Sequence, residues 1–153
     1  MKITYELDLE TFEAWSGAVD TLDRVRNAGK CAQLEAVLED LYPDGMTETG
    51  LNDLLWFEPE SVYEWVGIRS EKVIRAELEE KQYELEELKE SYEEEVEEQI
   101  DEINSNRELA GMNELDEEEI ESLRMAIWRS NYQSDADDLE EEIADLEEEL
   151  EEW

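Results

Sequence analysis

Acidic side chains dominate this sequence and define the chemistry that it could perform. The 153-residue chain holds 49 Asp and Glu against 12 Lys and Arg, for a formal net charge of −37. It has no His, and Cys31 is its only cysteine. This composition excludes Cys/His zinc sites, histidine-based catalysis, Ser-His-Asp triads and intramolecular disulfides. Carboxylates remain, and they could bind a metal, catalyse hydrolysis or present negative charge to a partner.

The spacing of the acids gives little support to a metal site. Glu94, Glu97, Glu98 and Asp101 recur at helical spacing and could hold Ca²⁺ weakly. However, the chain has no EF-hand loop, and di-iron sites also require Glu-x-x-His pairs. We therefore expect no metal and no other cofactor.

Catalysis is also disfavoured. Paired carboxylates hydrolyse glycosidic bonds when an apolar cleft raises the pKa of one of them. Here the acids fall mostly on helix faces expected to lie in solvent, and the chain has no Gly-rich phosphate-binding loop. The sequence predicts a protein that is not an enzyme.

The charge restricts the partners. Nucleic acids and anionic membranes recruit basic proteins, so we expect neither to bind directly. A charge this far from zero destabilises the compact state by self-repulsion, which a strongly basic partner would relieve. The sequence has neither a signal-peptide pattern nor an apolar run of membrane-spanning length, so a cytoplasmic location is expected.

The sequence pattern of residues 1–70 predicts a small helix-rich module with one short β-strand. Ile3, Tyr5 and Leu7 alternate along one face of the strand, for which no partner strand is evident. Four helical patterns follow, separated by Gly and Pro. The large aromatic residues of this module are expected to form its core, and they are Trp15, Trp56, Phe57 and Trp65.

Residues 71–153 predict an acidic antiparallel helical hairpin or coiled coil. An apolar stripe at helical spacing indicates a first helix over about 71–106, and the second helix should cover 116–153. Near its end, Leu139, Ile143 and Leu146 keep the heptad spacing of a seam. Asp116 followed by Glu119 is the signature of a capping box. The heptad phase changes near 131–137, which predicts a kink or short break there. Dimerisation of two chains through the apolar seams is an open alternative.

Charge spacing along these helices is close to that of a nucleic-acid backbone. Residues 71–106 carry fifteen acids, about one per 3.6 Å of helix axis, whereas a single DNA strand carries one phosphate per about 3.4 Å. Residues 134–152 carry twelve acids, about one per 2.4 Å. Two such helices side by side would approach duplex density. The competing interpretation is a solvated helix face, the usual role of such charge runs.

The predicted partner-binding residues form two acidic patches and one aromatic pair. Trp128 and Tyr132 could anchor an interface or, alternatively, pack the seam of the hairpin. Patch 1 consists of Glu93, Glu94, Glu95, Glu97, Glu98, Asp101 and Glu102. Patch 2 consists of Asp135, Asp137, Asp138, Glu140, Glu141 and Glu142.

Two stretches within roughly residues 3–68 carry a resemblance to known proteins: YELDLETFEAWSGAVDTLDRV and LEDLYPDGMTETGLNDLLWFEPESVYEWVGI. They resemble an N-terminal module of small Firmicutes phage and mobile-element proteins. Such proteins resemble type II anti-CRISPR inhibitors, several of which are acidic and compete with DNA for the basic clefts of Cas9. The resemblance implies Cas9 with its guide RNA as the partner, in the cytoplasm of a bacterial host, and it carries over no contact residues. Two alternatives are a structural coiled-coil oligomerisation protein and an acidic regulator of another DNA-binding protein.

Overall fold

Helices supply all the regular secondary structure, so the predicted mainly α fold class is confirmed. The computed structural model describes residues 1–153, which divide into two compact units, Met1–Ser70 and Glu71–Trp153. The first unit contains α1 (Ala18–Asn27), α2 (Cys31–Leu41), α3 (Glu48–Phe57) and α4 (Pro59–Val66). The second contains α5 (Glu71–Leu109), α6 (Glu117–Ile127), a π-helical segment (Trp128–Tyr132) and α7 (Gln133–Glu151).

The short β-strand predicted from Ile3, Tyr5 and Leu7 is wrong. Residues 1–7 have no regular secondary structure, and Ile3 and Tyr5 are exposed. The alternation is present, but a strand needs a neighbouring strand for its backbone groups, and the chain provides none. Tyr5 instead donates a side-chain hydrogen bond to Glu48, at the start of α3.

One apolar core holds the first unit together. It is built from α1, α2, α3 and α4, with α1 packed against α3 and α2 packed against α4. Cys31 lies in this core, and its burial and the neighbouring Glu10 raise the pKa of the thiol to about 11. The cysteine is therefore a structural thiol that stays protonated at neutral pH.

Polar side chains fix the loop that precedes α1. The Arg26 guanidinium donates hydrogen bonds to the carbonyl oxygens of Leu9, at 3.0 and 2.8 Å, and of Phe12, at 2.5 Å. The fully buried Asn52 of α3 accepts from the backbone N–H of Trp15 at 2.9 Å and donates to its carbonyl at 3.3 Å. These contacts satisfy loop backbone groups that have no helical partner.

The second unit is an antiparallel hairpin. Its first helix, α5, has 39 residues and is therefore about 58 Å long. The chain then turns, and α6, the π-helical segment and α7 return along α5. The predicted capping box is confirmed, because the Asp116 and Glu119 side chains each accept the other's backbone N–H. Asn104 also holds the turn by accepting from Leu115 N–H at 2.8 Å.

The predicted boundaries need two corrections. Helix α5 ends at Leu109, three residues beyond the predicted end. The kink or short break predicted near 131–137 lies slightly earlier, at Trp128–Tyr132, where a π-helical segment joins α6 to α7. A π turn contains one more residue than an α turn. The change of heptad phase is therefore absorbed within continuous helix.

Candidate functional site

The seam of the hairpin determines which acids face solvent. Val96 of α5 packs in the seam with Ile127, Ala136 and Leu146 of the returning segments, and all four are buried. Because the apolar side of α5 packs against the returning segments, the other faces of these helices project outward. The exposed faces are where the acids concentrate.

Five of the seven patch 1 residues are exposed and form no hydrogen bond or ion pair within the protein. They lie on two turns and a half of α5, whose helical backbone fixes their spacing. Because they recur at i, i+3 and i+4, neighbouring carboxylates repel one another. These five residues are Glu94, Glu97, Glu98, Asp101 and Glu102.

The other two residues of patch 1 are already engaged across the hairpin. Glu93 accepts two hydrogen bonds from the Arg124 guanidinium, at 2.9 and 2.6 Å, and this ion pair lowers the pKa of Glu93. Glu95 accepts from Asn131 at 3.0 Å and from the Tyr132 hydroxyl. Their negative charge is thus partly satisfied inside the molecule.

Patch 2 divides in the same way. Its member Glu142 pairs with Lys81 of α5 at 3.0 Å, and the interaction raises the pKa of the Lys81 ammonium. The remaining five are exposed along α7 without an intramolecular partner, and they are Asp135, Asp137, Asp138, Glu140 and Glu141.

The two patches do not lie side by side. Contacts between Glu95 and Tyr132 and between Lys81 and Glu142 fix the register of the hairpin. In this register patch 1 lies opposite α6 and the π-helical segment, whereas patch 2 lies opposite the earlier part of α5. The centres of the patches are therefore offset by about 18 Å along the axis. The sequence leaves this offset undetermined, because it depends on where the turn closes.

Charge density nevertheless stays high along the whole hairpin. The second unit carries 34 acids and seven bases, a net charge of −27. Spread over the length of α5, this is about one net charge per 2.2 Å, against one phosphate per about 1.7 Å of duplex DNA. Arg124 and Lys81 each neutralise one patch residue locally.

The aromatic pair packs within the hairpin. The rings of Trp128 and Tyr132 are stacked, with centroids 6.2 Å apart, and Tyr92 of α5 meets both edge-on at 5.0 and 5.5 Å. The Arg124 guanidinium lies over the Tyr92 ring, 5.3 Å from its centroid. Both Trp128 and Tyr132 are half-buried. Their main contacts are those of seam residues, and one edge of Trp128 lines a shallow surface depression.

Sequence reasoning missed three polar residues in the seam and misplaced three aromatic residues. Lys81, Glu95 and Gln99 occupy half-buried positions between apolar turns of α5.

In the first unit, three of the four aromatic residues predicted for the core lie outside it. Trp15, Trp56 and Phe57 keep 42%, 41% and 66% of their surfaces exposed. Only the fourth predicted core aromatic, Trp65, packs against the core.

The protein has no evident metal site and no helix that could span a membrane. No cluster of His, Cys, Asp or Glu has a geometry suited to holding a metal ion. None of the helices combines the length and apolar character that crossing a bilayer requires. No protein-family model, curated protein or solved structure matches the chain.

Proposed function

We propose that the hairpin is a nucleic-acid mimic, whose ordered carboxylates occupy a basic DNA- or RNA-binding cleft of a partner protein. The observation that carries this proposal is the set of five exposed, unpaired carboxylates in patch 1. Like charges at i, i+4 spacing repel one another and lower the stability of a helix. Cations that approach these charges reduce the repulsion and restore the stability. Arg and Lys of a cleft that normally binds phosphates would supply those cations.

The resemblance of the first unit to modules of phage and mobile-element proteins suggests Cas9 with its guide RNA as the partner. Cas9 holds its heteroduplex in a positively charged channel and reads its PAM with arginines. A rod with one net charge per about 2.2 Å could compete for either surface. The protein would then act in a bacterial cytoplasm as an anti-CRISPR inhibitor, by occupancy and without catalysis.

The coiled-coil oligomerisation alternative has less support. The apolar seam of α7 packs against α5 of the same chain, so it is not available to a second copy. A homodimer would need a different surface and would bring together two chains of charge −37. The other alternative, an acidic regulator of a different DNA-binding protein, would use the same carboxylates and differs only in partner.

The test is competition with target duplex DNA for the Cas9–guide RNA complex. In the patch 1 variant, Glu94, Glu97, Glu98 and Glu102 are replaced by Gln. In the matched control, the first unit loses the same number of exposed acids through Glu6→Gln, Glu39→Gln, Asp40→Asn and Asp44→Asn. A parallel panel of other basic nucleoproteins identifies the regulator alternative.

The patch 1 variant should lose about tenfold or more in affinity, because each carboxylate makes charge-assisted contacts with a cation. The slope of log affinity against log salt should fall by about one unit per lost contact. The control variant should behave as the wild type. Equal loss in both variants would mean that overall charge alone governs binding, and the mimic proposal would then be abandoned.

A further inference from the structure

We infer that the first unit carries a second contact surface for the same basic partner, formed by Trp15, Trp56 and Phe57. This inference rests on the proposed function and adds an apolar anchor to its electrostatic one. The occupant is an apolar spot ringed by Lys and Arg on the partner protein. We call the three residues the aromatic patch.

Contacts with α3 and with the loop before α1 hold the aromatic patch in place. The buried Asn52 side chain holds both backbone groups of Trp15. One turn further along α3, the Trp56 ring lies over Gly17, so closely that a Cβ there would be 2.2 Å from Trp56 Cδ1. Phe57 stacks on Trp56 with ring centroids 4.6 Å apart. The absence of a side chain at Gly17 therefore allows the Trp56 ring to lie flat against the loop.

Core formation does not account for these rings. The core of the unit is complete without them, and its central Leu34, Leu55 and Val62 are fully buried. Large aromatic side chains exposed together on a small domain mark contact surfaces, and Trp contributes strongly to binding at such places. The partial exposure of three large rings in one small module therefore supports a role in contact.

A groove whose lining includes the two residues that precede Trp15 in sequence, Glu13 and Ala14, fits a basic side chain. It has a volume of about 260 Å³ and lies between the loop before α1 and α1 itself. Phe12, Ala14 and Val19 line it with apolar surface, and Glu13 and Asp23 stand at its edge. The stem of a Lys or Arg could lie along the apolar wall while its charged end meets a carboxylate.

Charge complementarity selects the occupant. The exposed charged residues flanking the patch in sequence are acidic, namely Glu13, Asp20, Asp53 and Glu58. The one cation at the groove, Arg26, is committed to the carbonyl oxygens of Leu9 and Phe12 and lies 3.9 Å from Asp23. Glu13, rather than Asp23, is therefore the groove carboxylate left for a basic side chain. A second copy would present the same acids and a charge of −37, which opposes self-association. A basic protein surface with an apolar centre would cover the rings and would also pair with the acids that flank them.

The experiment compares the wild type and three full-length variants for binding to the Cas9–guide RNA complex at several salt concentrations. The test variant carries Trp15→Ser and Phe57→Ser. The matched control carries Leu41→Ser and Tyr42→Ser, two exposed apolar residues at the far end of the α2–α3 region. A third variant carries Phe57→Ser alone. Because Phe57 is the most exposed of the three rings, this variant tests the patch even if the double variant fails to fold. Circular dichroism and light scattering accompany each protein.

The test variant should bind about tenfold or more weakly at every salt concentration, with an unchanged salt slope, because an apolar contact releases no counterions. Wild-type affinity in both test variants, with weakened binding in the patch 1 variant, would overturn this inference and leave the proposed function intact. The reverse pattern would overturn the proposed function alone. No binding of the wild-type protein to Cas9 or to any nucleoprotein of the panel would overturn both. A wild-type dimer that Phe57→Ser converts to a monomer would assign the patch to self-association and so overturn the inference.

Discussion

Tyr132 donates a hydrogen bond to Glu95 across the hairpin, so two side chains that the sequence marks for a partner contact each other. The Tyr132 hydroxyl also reaches the carbonyl oxygen of Ser91 at 3.3 Å. This contact joins the π-helical segment to α5 and helps to fix the register on which the positions of both acidic patches depend. The main role of Glu95 and Tyr132 is therefore to hold α5 and the returning segments in register, which positions the exposed carboxylates of both patches.

Replacing Tyr132 by Phe should lower the free energy of unfolding by about 1 kcal/mol, because it removes one hydrogen bond to a charged acceptor while keeping the stacked ring. Urea unfolding followed by circular dichroism measures this. Tyr42→Phe is the control, since that exposed hydroxyl makes no hydrogen bond in the protein. A loss of partner binding without a loss of stability would instead favour Tyr132 as an interface anchor.

The same hydrogen bond predicts a pH dependence. The hydrogen bond to Glu95 raises the pKa of Tyr132 to about 12, because ionisation would remove the donated proton and would also place two negative charges together. The pKa of an unfolded tyrosine is about 10. The contribution of Tyr132 is therefore fully present below about pH 10 and is lost as the pH rises towards 12. The stability difference between wild type and Tyr132→Phe should shrink between pH 9 and pH 12. A constant difference would show that the hydroxyl is not bonded to Glu95 in solution.

Two glutamates of patch 1 should respond to neutralisation with opposite signs. Glu93→Gln breaks the exposed ion pair with Arg124 and should cost about 0.5 kcal/mol of stability. Glu97→Gln relieves repulsion from Glu94 and Asp101 and should add about 0.2–0.5 kcal/mol. Unfolding of both variants in one buffer at low salt tests the pair. If Glu97→Gln also destabilised the protein, an unrecognised role for Glu97 within the fold would be implied.

The aromatic patch has its own structural prediction. Gly17→Ala would place a Cβ 2.2 Å from Trp56 Cδ1 and 2.3 Å from Nε1, so the indole must move. We expect a changed near-ultraviolet circular dichroism spectrum and a loss of about 1 kcal/mol from forced repacking. Gly50→Ala, within α3 but away from Trp56, serves as the control and should leave the aromatic spectrum unchanged. An unaltered spectrum in Gly17→Ala would contradict the close contact.

Local signals in the sequence were the most reliable. The capping box at Asp116 and Glu119 follows from residue type and spacing alone, and the structure contains it. The heptad spacing of Leu139, Ile143 and Leu146 likewise identifies the face of α7 that packs on α5. Such features depend on neighbours within two turns of helix, and a single sequence carries that information.

Features that depend on distant residues were not predictable in this way. The alternation of Ile3, Tyr5 and Leu7 resembles a strand, yet strand formation depends on a partner that this chain lacks. Lys81 enters the seam because Glu142 meets it from α7, a contact between residues far apart in sequence. The exposure of Trp56 depends on its packing over Gly17 from another element. Each outcome was decided by tertiary contacts that override local pattern.

The π-helical segment determines the direction in which the carboxylates of α7 point. It contains the extra residue that separates the phase of α6 from that of α7. Deleting that residue would turn the whole of α7 by about 100° about its own axis. The terminal carboxylates would then point in new directions although none of them had been substituted. The apolar face of α7, which holds Leu139, Ile143 and Leu146, would at the same time leave α5. The extra residue at this single turn therefore keeps the apolar side chains of α7 on the seam and its charges in solvent.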